Sequence, residues 1–174
     1  MHQQVSRPPA RKRGLSLSMA MVYRPIDPSD PAEVHAFSLF CENARRDSTE
    51  GYIPDSDDER SQTRLEIIAQ LTGDPSKHRC IAGFDGDTMV GVIRLNMMTI
   101  DKLPACHVRA LWVHPDHRGR SVATRLKELA EVWARSMGSV LMDSNVRVAN
   151  ERMIELNKRL GYEVARLNFR KRLD

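Results

Sequence analysis

One segment near the middle of this 174-residue chain constrains its fold more than any other. The apolar run Ala110–Val113 predicts a strand, and a Pro-containing turn with a basic loop follows it. Beyond the loop, apolar residues recur at the i, i+4, i+7 and i+11 spacing of one helical face: Val122, Leu126, Leu129 and Trp133. A strand that leads through a short loop into an amphipathic helix predicts an α/β protein.

The loop between this strand and this helix has the properties of an anion site. The first N–H groups of a helix have no intrahelical acceptor, and the helix dipole is positive at the same end. Arg118 and Arg120 add charge-assisted donors. We therefore predict that a phosphate-bearing ligand binds here. The backbone N–H groups predicted to face it belong to Gly119, Arg120, Ser121, Val122 and Ala123.

The spacing within this loop also carries a family resemblance. The pattern Arg118-x-x-Ser121-x-Ala123, directly after a strand, resembles the acyl-CoA pyrophosphate loop of the GNAT N-acetyltransferase superfamily, with Ser121 in place of the usual middle glycine. A second match is similar to the family's late helix and its Leu-Gly-aromatic ending, at Asn150, Leu156, Leu160, Gly161 and Tyr162. The two motifs stand in the family's order, and the resemblance spans residues 21–173.

This resemblance implies a fold and a reaction. The implied fold is α/β, with a central mixed β-sheet and helices on both faces. The implied reaction is direct transfer of an acetyl group from acetyl-CoA to a primary amine of a small molecule or a peptide, without a metal. The pantetheine arm of the cosubstrate is expected to bond the main chain of Leu111, Trp112 and Val113. An N–H group near Trp112 or Val113 is the expected donor to the oxyanion.

Two asparagines of the late helix have several open roles. Asn150 matches a position that contacts the cofactor arm in relatives, and it is also a good helix N-cap. Asn157 stands where relatives usually carry a tyrosine general acid, and an amide cannot act as an acid. Three interpretations stay open: the thiolate leaves without an acid, Asn157 hydrogen-bonds the sulfur or a water, or catalysis is poor.

His107 and Asp143 are the two candidates for the general base. His107 lies on the strand that enters the loop, where the histone-acetylating branch of the family has a glutamate. Its imidazole can take up a proton near neutral pH. Strand alternation predicts that His107, Arg109 and Leu111 share one face of the sheet. Asp143 lies on the following strand, and a purely structural role is the alternative for both candidates.

The rest of the pattern predicts a single domain of alternating elements. Predicted helices cover residues 31–46, 59–71, 121–137 and 149–160. Predicted strands cover residues 22–24, 79–84, 88–96, 105–113, 140–144, 162–165 and 167–171, with Asp85-Gly86 as a hairpin turn. Early hairpins and a late β-α-β-α-β succession predict a mixed sheet covered by helices on both faces.

The positive charge of the chain is concentrated at its start. Residues 1–20 hold four of the 27 basic residues and no acid, so the remaining 23 basic residues balance the 23 acids. We therefore predict an unstructured basic tail over residues 1–20 and a GNAT domain over residues 21–174. A neutral domain argues against general nucleic-acid binding.

Hydrophobicity and cysteine content bear on the compartment. No apolar run approaches the ~18 residues of a membrane span. Three widely spaced cysteines, Cys41, Cys80 and Cys106, lack the spacing of a zinc site and predict buried thiols in a reducing, cytoplasmic setting.

The acceptor and the partners are less constrained. An acidic cluster falls in or beside the predicted loop 47–58, at Glu50, Asp55, Asp57, Asp58 and Glu59. It is either a rim that attracts a cationic amine or a set of charges at a helix start. Two alternatives to a small-molecule or peptide acetyltransferase are a GNAT-type toxin that acetylates aminoacyl-tRNA and a CoA-binding module with little catalysis. A homodimer is compatible with the implied fold.

Overall fold

The computed structural model describes residues 20–49, 51–169, 171 and 173, so the predicted tail lies outside the described residues except for Ala20. The strands are β1 (Val22–Pro25), β2 (His78–Asp85), β3 (Thr88–Ile100), β4 (Leu103–Val113) and β5 (Leu141–Ser144). The helices are α1 (Pro31–Ser48), α2 (Asp57–Thr72), α3 (Val122–Ser136) and α4 (Glu151–Arg159), and a short 3-10 helix covers Pro115–His117.

The strands form one mixed sheet in the order β1-β2-β3-β4-β5. The first four strands pair antiparallel, and β5 pairs parallel to β4. The predicted mixed sheet is therefore confirmed. The parallel pair follows from the α3 crossover, because a strand that returns through a helix runs in the direction of the first strand.

Side-chain caps define where the first two helices begin. Asp30 accepts a hydrogen bond from the Ala32 N–H at 2.8 Å and caps α1. Ser56 and Glu59 form a capping box for α2. Because Ser56 is the cap, α2 begins at Asp57 rather than at the predicted Glu59.

Two tight turns connect the three central strands. The predicted turn after Asp85 is confirmed, with Gly86 at φ +60°. A second turn, which the sequence analysis missed, joins β3 to β4 through Asp101 and Lys102 at φ +49° and +67°. Such turns usually carry glycine at the second position, and Lys102 lacks that signal. This is why the predicted strand ended at Asn96, four residues too early.

Helices cover both faces of the sheet, as predicted. On one face, α1 and α2 bury Phe37, Phe40 and Ile67 against Ala82, Val92 and Trp112. On the other face, α3 buries Val122, Leu126 and Ala130 against Ile81, Ile93 and Val108. The sheet thus separates two apolar layers, and each layer removes its side chains from water.

A β-bulge in β4 changes which of its side chains share a face. Arg94 pairs with Ala110 and Leu95 pairs with Val108, so Arg109 is the extra residue. The prediction that His107, Arg109 and Leu111 share a face is therefore wrong. Beyond the bulge, the face of His107 continues through Ala110 and Trp112, whereas Leu111 packs in the layer under α3.

The predicted closing strands over residues 162–165 and 167–171 are not formed by the described residues of that segment. The apolar side chains after Tyr162 are exposed, and Phe169 is 88% exposed. Strand formation depends on packing against neighbours more than on intrinsic preference. Tyr162 packs against Lys127 of α3, but the β-branched and aromatic residues after it have no such packing. The helix before them does end near Gly161, as predicted, with Gly161 at φ +83°.

Candidate active site

The edge of β4 that faces β5 is only partly paired. β5 pairs with Ala105–Val108, whereas β4 continues to Val113. Since β5 ends at Ser144, its partner strand has an open edge over its last five residues, 109–113. An open edge exposes main-chain donors and acceptors to which an extended ligand can bond.

Main-chain alternation decides which residues face this open edge. The His114 N–H donates to the Val90 carbonyl at 2.8 Å, which places His114 in a hydrogen-bonded pair with β3. Alternation then turns the N–H of Trp112 toward β3, and the N–H groups of Leu111 and Val113 toward the open edge. Of the three predicted main-chain contacts, those at Leu111 and Val113 fit this edge, and that at Trp112 does not.

The two predicted general-base candidates meet where β4 and β5 are still paired. His107 and Asp143 are register partners, and His107 Nδ1 lies 2.5 Å from Asp143 Oδ2. Their side chains are 13% and 30% exposed. A carboxylate only accepts hydrogen bonds, so a neutral His107 donates from Nδ1 and leaves Nε2 with a free lone pair.

Further polar side chains extend this pair across the sheet. His107 lies opposite Asn96 on β3, and Asn96 lies opposite His78 on β2. The Asn96 Oδ1 atom is 3.1 Å from His78 Nδ1. His78 is thus a second histidine on the same face, two strands away from the open edge.

The loop before α3 presents a row of main-chain donors. The first turn of α3 begins with three N–H groups that have no acceptor one turn earlier, those of Val122, Ala123 and Thr124. Within the part of the chain that the structure describes, the N–H groups of Gly119 and Arg120 also bond no protein acceptor. The α3 dipole adds positive potential at this point, so the predicted anion cradle has the donors it requires.

Ser121 explains how this chain dispenses with the usual glycine. Its backbone is left-handed, with φ +62° and ψ +11°, and its side chain makes no capping bond. Glycine adopts this conformation freely, whereas an L-residue does so at a cost of about 1 kcal/mol. Gly119 is also left-handed, at φ +78°. The serine is thus accommodated at the same backbone angle that favours glycine.

The Arg118 side chain has two protein partners, which lie on β4 and α1. Its Nε donates to the Val113 carbonyl at 3.0 Å, and its Nη2 donates to Asp47 Oδ2 at 3.1 Å. The same carboxylate oxygen accepts from Trp112 Nε1 at 2.8 Å. Asp47 was missed by the sequence analysis, since nothing in the sequence relates the end of α1 to a strand and a loop so far along the chain.

The two asparagines occupy different positions around α4. Asn150 is the N-cap, and its side chain accepts from the Met153 N–H at 3.2 Å, so the capping interpretation is confirmed. Asn157 is buried, and its Oδ1 bonds no partner among the described residues. Among the described residues, neither asparagine side chain forms a hydrogen bond with His107 or Asp143.

The acidic cluster mostly serves local structure. Asp55 pairs with Arg45 at 2.5 Å, Asp57 pairs with Arg60, and Glu59 belongs to the capping box of α2. Glu50 lies outside the described residues. The interpretation as charges at a helix start therefore describes this cluster better than a free acidic rim.

A buried lysine adjoins the end of α4. Lys127 on α3 has no exposed surface, and its Nζ lies 4.1 Å from the centre of the Tyr162 ring. The Lys127 Nζ and the Tyr162 hydroxyl bond no partner among the described residues. Burial lowers the pKa of Lys127 to about 8, against a smaller opposing effect of Glu131.

The cysteines are buried and unpaired, as predicted. Burial raises the pKa of the Cys41 and Cys106 thiols to about 11. In the described ranges, no three histidine, cysteine or acidic side chains are grouped as metal ligands. No helix within those ranges has the length and apolar character to cross a membrane.

Comparison with known proteins bears on this site. The model of the Acetyltransferase (GNAT) family matches residues 39–162. An uncharacterised N-acetyltransferase of Methanocaldococcus jannaschii is 36% identical over 64 residues, which are 37% of this chain and 28% of that relative. The match thus spans little more than a quarter of the relative.

Solved structures share the fold at low sequence identity. The complex of AAC(6′)-Iy with the bisubstrate analogue CoA-S-monomethyl-acetylneamine has a TM-score of 0.66 at 19% identity, covering 88% of this chain and 99% of that one. The ribosomal-protein-alanine N-acetyltransferase of Brucella melitensis biovar Abortus 2308 has a TM-score of 0.63 at 14% identity, covering 89% and 100%. The family model covers more than half of the length of this chain. This chain therefore belongs to the GNAT acetyltransferase family.

Proposed function

We propose that this protein transfers an acetyl group from acetyl-CoA to a primary amine of a small molecule or a peptide. The observation that carries the proposal is the open edge of β4. One end of this edge adjoins the His107–Asp143 pair, and the other end leads into the row of free N–H groups before α3. A donor that carries a diphosphate at one end and a thioester at the other matches this arrangement.

Main-chain groups bind and position the donor. The N–H groups of residues 119–123 and the α3 dipole hold the diphosphate. The pantetheine arm lies along the edge of β4, where its amides bond the main chain as an added strand would. An N–H group of Leu111 or Val113 then donates to the thioester oxygen and stabilises the negative charge that develops on it.

His107 prepares the acceptor amine for attack. Asp143 holds the Nδ1–H of His107, which keeps the Nε2 lone pair available for a proton from the acceptor ammonium, directly or through a water. The neutral amine nitrogen attacks the thioester carbon, and a C–N bond forms. Asp143 is a positioning residue here, because it acts through the imidazole.

The oxyanion then re-forms the carbonyl, the C–S bond breaks, and the thiolate leaves with the bonding electrons. The attacking nitrogen, which carries one surplus proton after the attack, releases it to water and becomes a neutral amide. A free thiol in water has a pKa of about 8.5, so its thiolate is a good leaving group near neutral pH. We propose that no side chain protonates the sulfur as it leaves, since Asn157 cannot serve as an acid.

The direct test is acetyl-CoA-dependent release of CoA thiol with a panel of primary amines. We expect His107→Ala to lower kcat/KM about 100-fold, because a general base contributes roughly 10²–10⁴ in rate. The matched control is His78→Ala, which removes a histidine from the same face of the sheet and should leave the rate within about threefold. Asp143→Asn keeps the size of the side chain, loses its charge, and should give an intermediate loss.

The outcomes separate the candidate functions. Equal rates for His107→Ala and the wild type would remove His107 from the role of base. Binding of acetyl-CoA without amine-stimulated thiol release would favour the CoA-binding module. Acetylation that requires aminoacyl-tRNA, with binding that falls steeply as salt rises, would favour the toxin interpretation.

A further inference from the structure

We propose that Arg118 and Asp47 position the cofactor loop, and that the Arg118 guanidinium is not a ligand of the diphosphate. The proposal deepens the proposed function, on which it rests. It concerns how the chain fixes the loop whose N–H groups hold the donor. It also revises the prediction that the Arg118 side chain supplies charge to a bound phosphate.

Two of the five N–H groups of the Arg118 guanidinium have protein acceptors. The Nε–H donates to the carbonyl of Val113, the last residue of β4, and Nη2 donates to the Asp47 carboxylate on α1. The guanidinium carbon also lies 5.6 Å from the centre of the Trp112 ring. The backbone N–H of Arg118 donates to the Pro115 carbonyl at 3.1 Å. Both the main chain and the side chain of Arg118 therefore serve to close the loop.

Asp47 supplies the counter-charge for this arrangement. One carboxylate oxygen accepts from Arg118 and from the Trp112 indole. Burial on its own raises the pKa of Asp47, but the bonds from Trp112 and Arg118 outweigh burial, and the pKa lies below its ordinary value. At neutral pH the charge of Arg118 is thus balanced within the protein.

The position of this pair gives it a consequence for binding. The main-chain groups of Val113 point toward the open edge. Arg118 Nε donates to the Val113 carbonyl, and therefore contacts the protein where that edge ends and the loop begins. Trp112 packs edge-on against Phe40 of α1, with 4.8 Å between the ring centres. Asp47 of the same helix accepts a hydrogen bond from Arg118 in the loop. The direction of the N–H groups of residues 119–123 therefore depends on α1 through these bonds.

Two substitutions at Arg118 distinguish positioning from phosphate binding. The Gln side-chain amide nitrogen is the fourth side-chain atom beyond Cα, as Nε is in arginine, so Arg118→Gln retains a donor to the Val113 carbonyl without the charge. Arg118→Lys retains the charge, but it places its ammonium one atom further out and lacks the planar fork. A phosphate ligand needs the charge, whereas a positioning residue needs the donor.

The experiment is calorimetric titration of the full-length protein with CoA at two salt concentrations. We expect Arg118→Gln to bind CoA within about threefold of the wild type. Arg118→Lys and Asp47→Ala should each weaken binding about fivefold, a modest effect because both side chains are more than 40% exposed. Asp47→Asn retains an oxygen acceptor for Trp112 and should recover part of the loss. Arg125→Gln is the matched control, because the partner of Arg125 among the described residues is Glu128 on the same helix.

Thermal unfolding of each variant checks that the protein remains folded. Tighter binding by Arg118→Lys than by Arg118→Gln, with a salt dependence that only the Gln variant loses, would overturn the proposal. Unchanged affinity in all of the Arg118 and Asp47 variants would overturn it as well. If the wild-type protein does not bind CoA, the proposed function itself fails, and this result is distinct from the other two.

Discussion

Lys127 is a buried ionisable residue without a hydrogen-bond partner in the described structure. It is completely buried, and its ammonium faces an aromatic ring with no hydrogen-bond acceptor. Because burial lowers its pKa from 10.5 to about 8, the folded chain releases its proton more easily than the unfolded chain does. Below pH 8 both states hold the proton, and the folded state bears the full desolvation penalty.

Replacing Lys127 by methionine should therefore stabilise the protein at neutral pH. A lowering of two to three pKa units corresponds to about 3 kcal/mol, since each unit is worth 1.36 kcal/mol. We expect Lys127→Met to raise the free energy of unfolding by up to about 3 kcal/mol at pH 7. Between pH 8 and 10.5 the wild type gains stability as its folded form loses the proton, so the difference should shrink.

Denaturant unfolding at pH 7 and at pH 10 measures this difference. Lys158→Met removes an exposed lysine and serves as the control, with an expected change within about 0.5 kcal/mol. A destabilised Lys127→Met protein would show instead that the cation and the Tyr162 ring stabilise the fold together.

Individual residues differ in how far the sequence alone reveals their contacts. His107 and Asp143 could each be proposed from their places in predicted strands, and the register then brings them to 2.5 Å. Asp47 could not be proposed, because its partners Trp112 and Arg118 are set by the packing of α1 on the sheet. Pairings between distant segments depend on tertiary structure, which one sequence does not display.

At the scale of elements, the contact of α3 with the sheet depends on Gly91. A Cβ atom at this position would lie 2.8 Å from Val122 Cγ1 and 3.3 Å from Leu126 Cδ1. Gly91→Ala must therefore displace the start of α3, which directly follows the loop. We expect a loss of about 1–3 kcal/mol in unfolding free energy and weaker CoA binding.

A compensating variant makes this prediction specific. Val122→Ala removes the methyl group that Gly91→Ala would meet, so the double variant should be more stable than the sum of the two single losses predicts. Unfolding free energies of the four proteins give the coupling. Strict additivity would show that the close contact with α3 does not limit this position.

Elements with a local signal were predicted well, and those that depend on neighbours were not. The helix α3 and the turn at Gly86 follow from periodicity and turn chemistry. The bulge at Arg109 has no sequence signal, because any residue in the region can be the extra one. The predicted strands after Tyr162 carry strand-forming residues, but the described structure gives them no partner strand.

At the scale of the whole molecule, the sheet brings two kinds of chemistry to one edge. The end of β5 leaves β4 open, and the His107–Asp143 pair lies where the two strands are still paired. The loop proposed to bind the diphosphate lies where β4 ends. Neither motif alone defines a reaction. Their connection through one strand is what supports acyl transfer between a diphosphate-bearing thioester and an amine.

The most direct test of this account is calorimetric titration of the full-length protein with acetyl-CoA, beside two substitutions at Ala123. Ala123 lies in the first turn of α3, and a carboxylate there opposes a bound diphosphate. We predict that the wild type and Ala123→Ser bind acetyl-CoA, and that Ala123→Glu loses binding at least 100-fold while its unfolding stays cooperative. Equal affinity of Ala123→Glu and the wild type, or no binding by a well-folded wild type, would contradict the account.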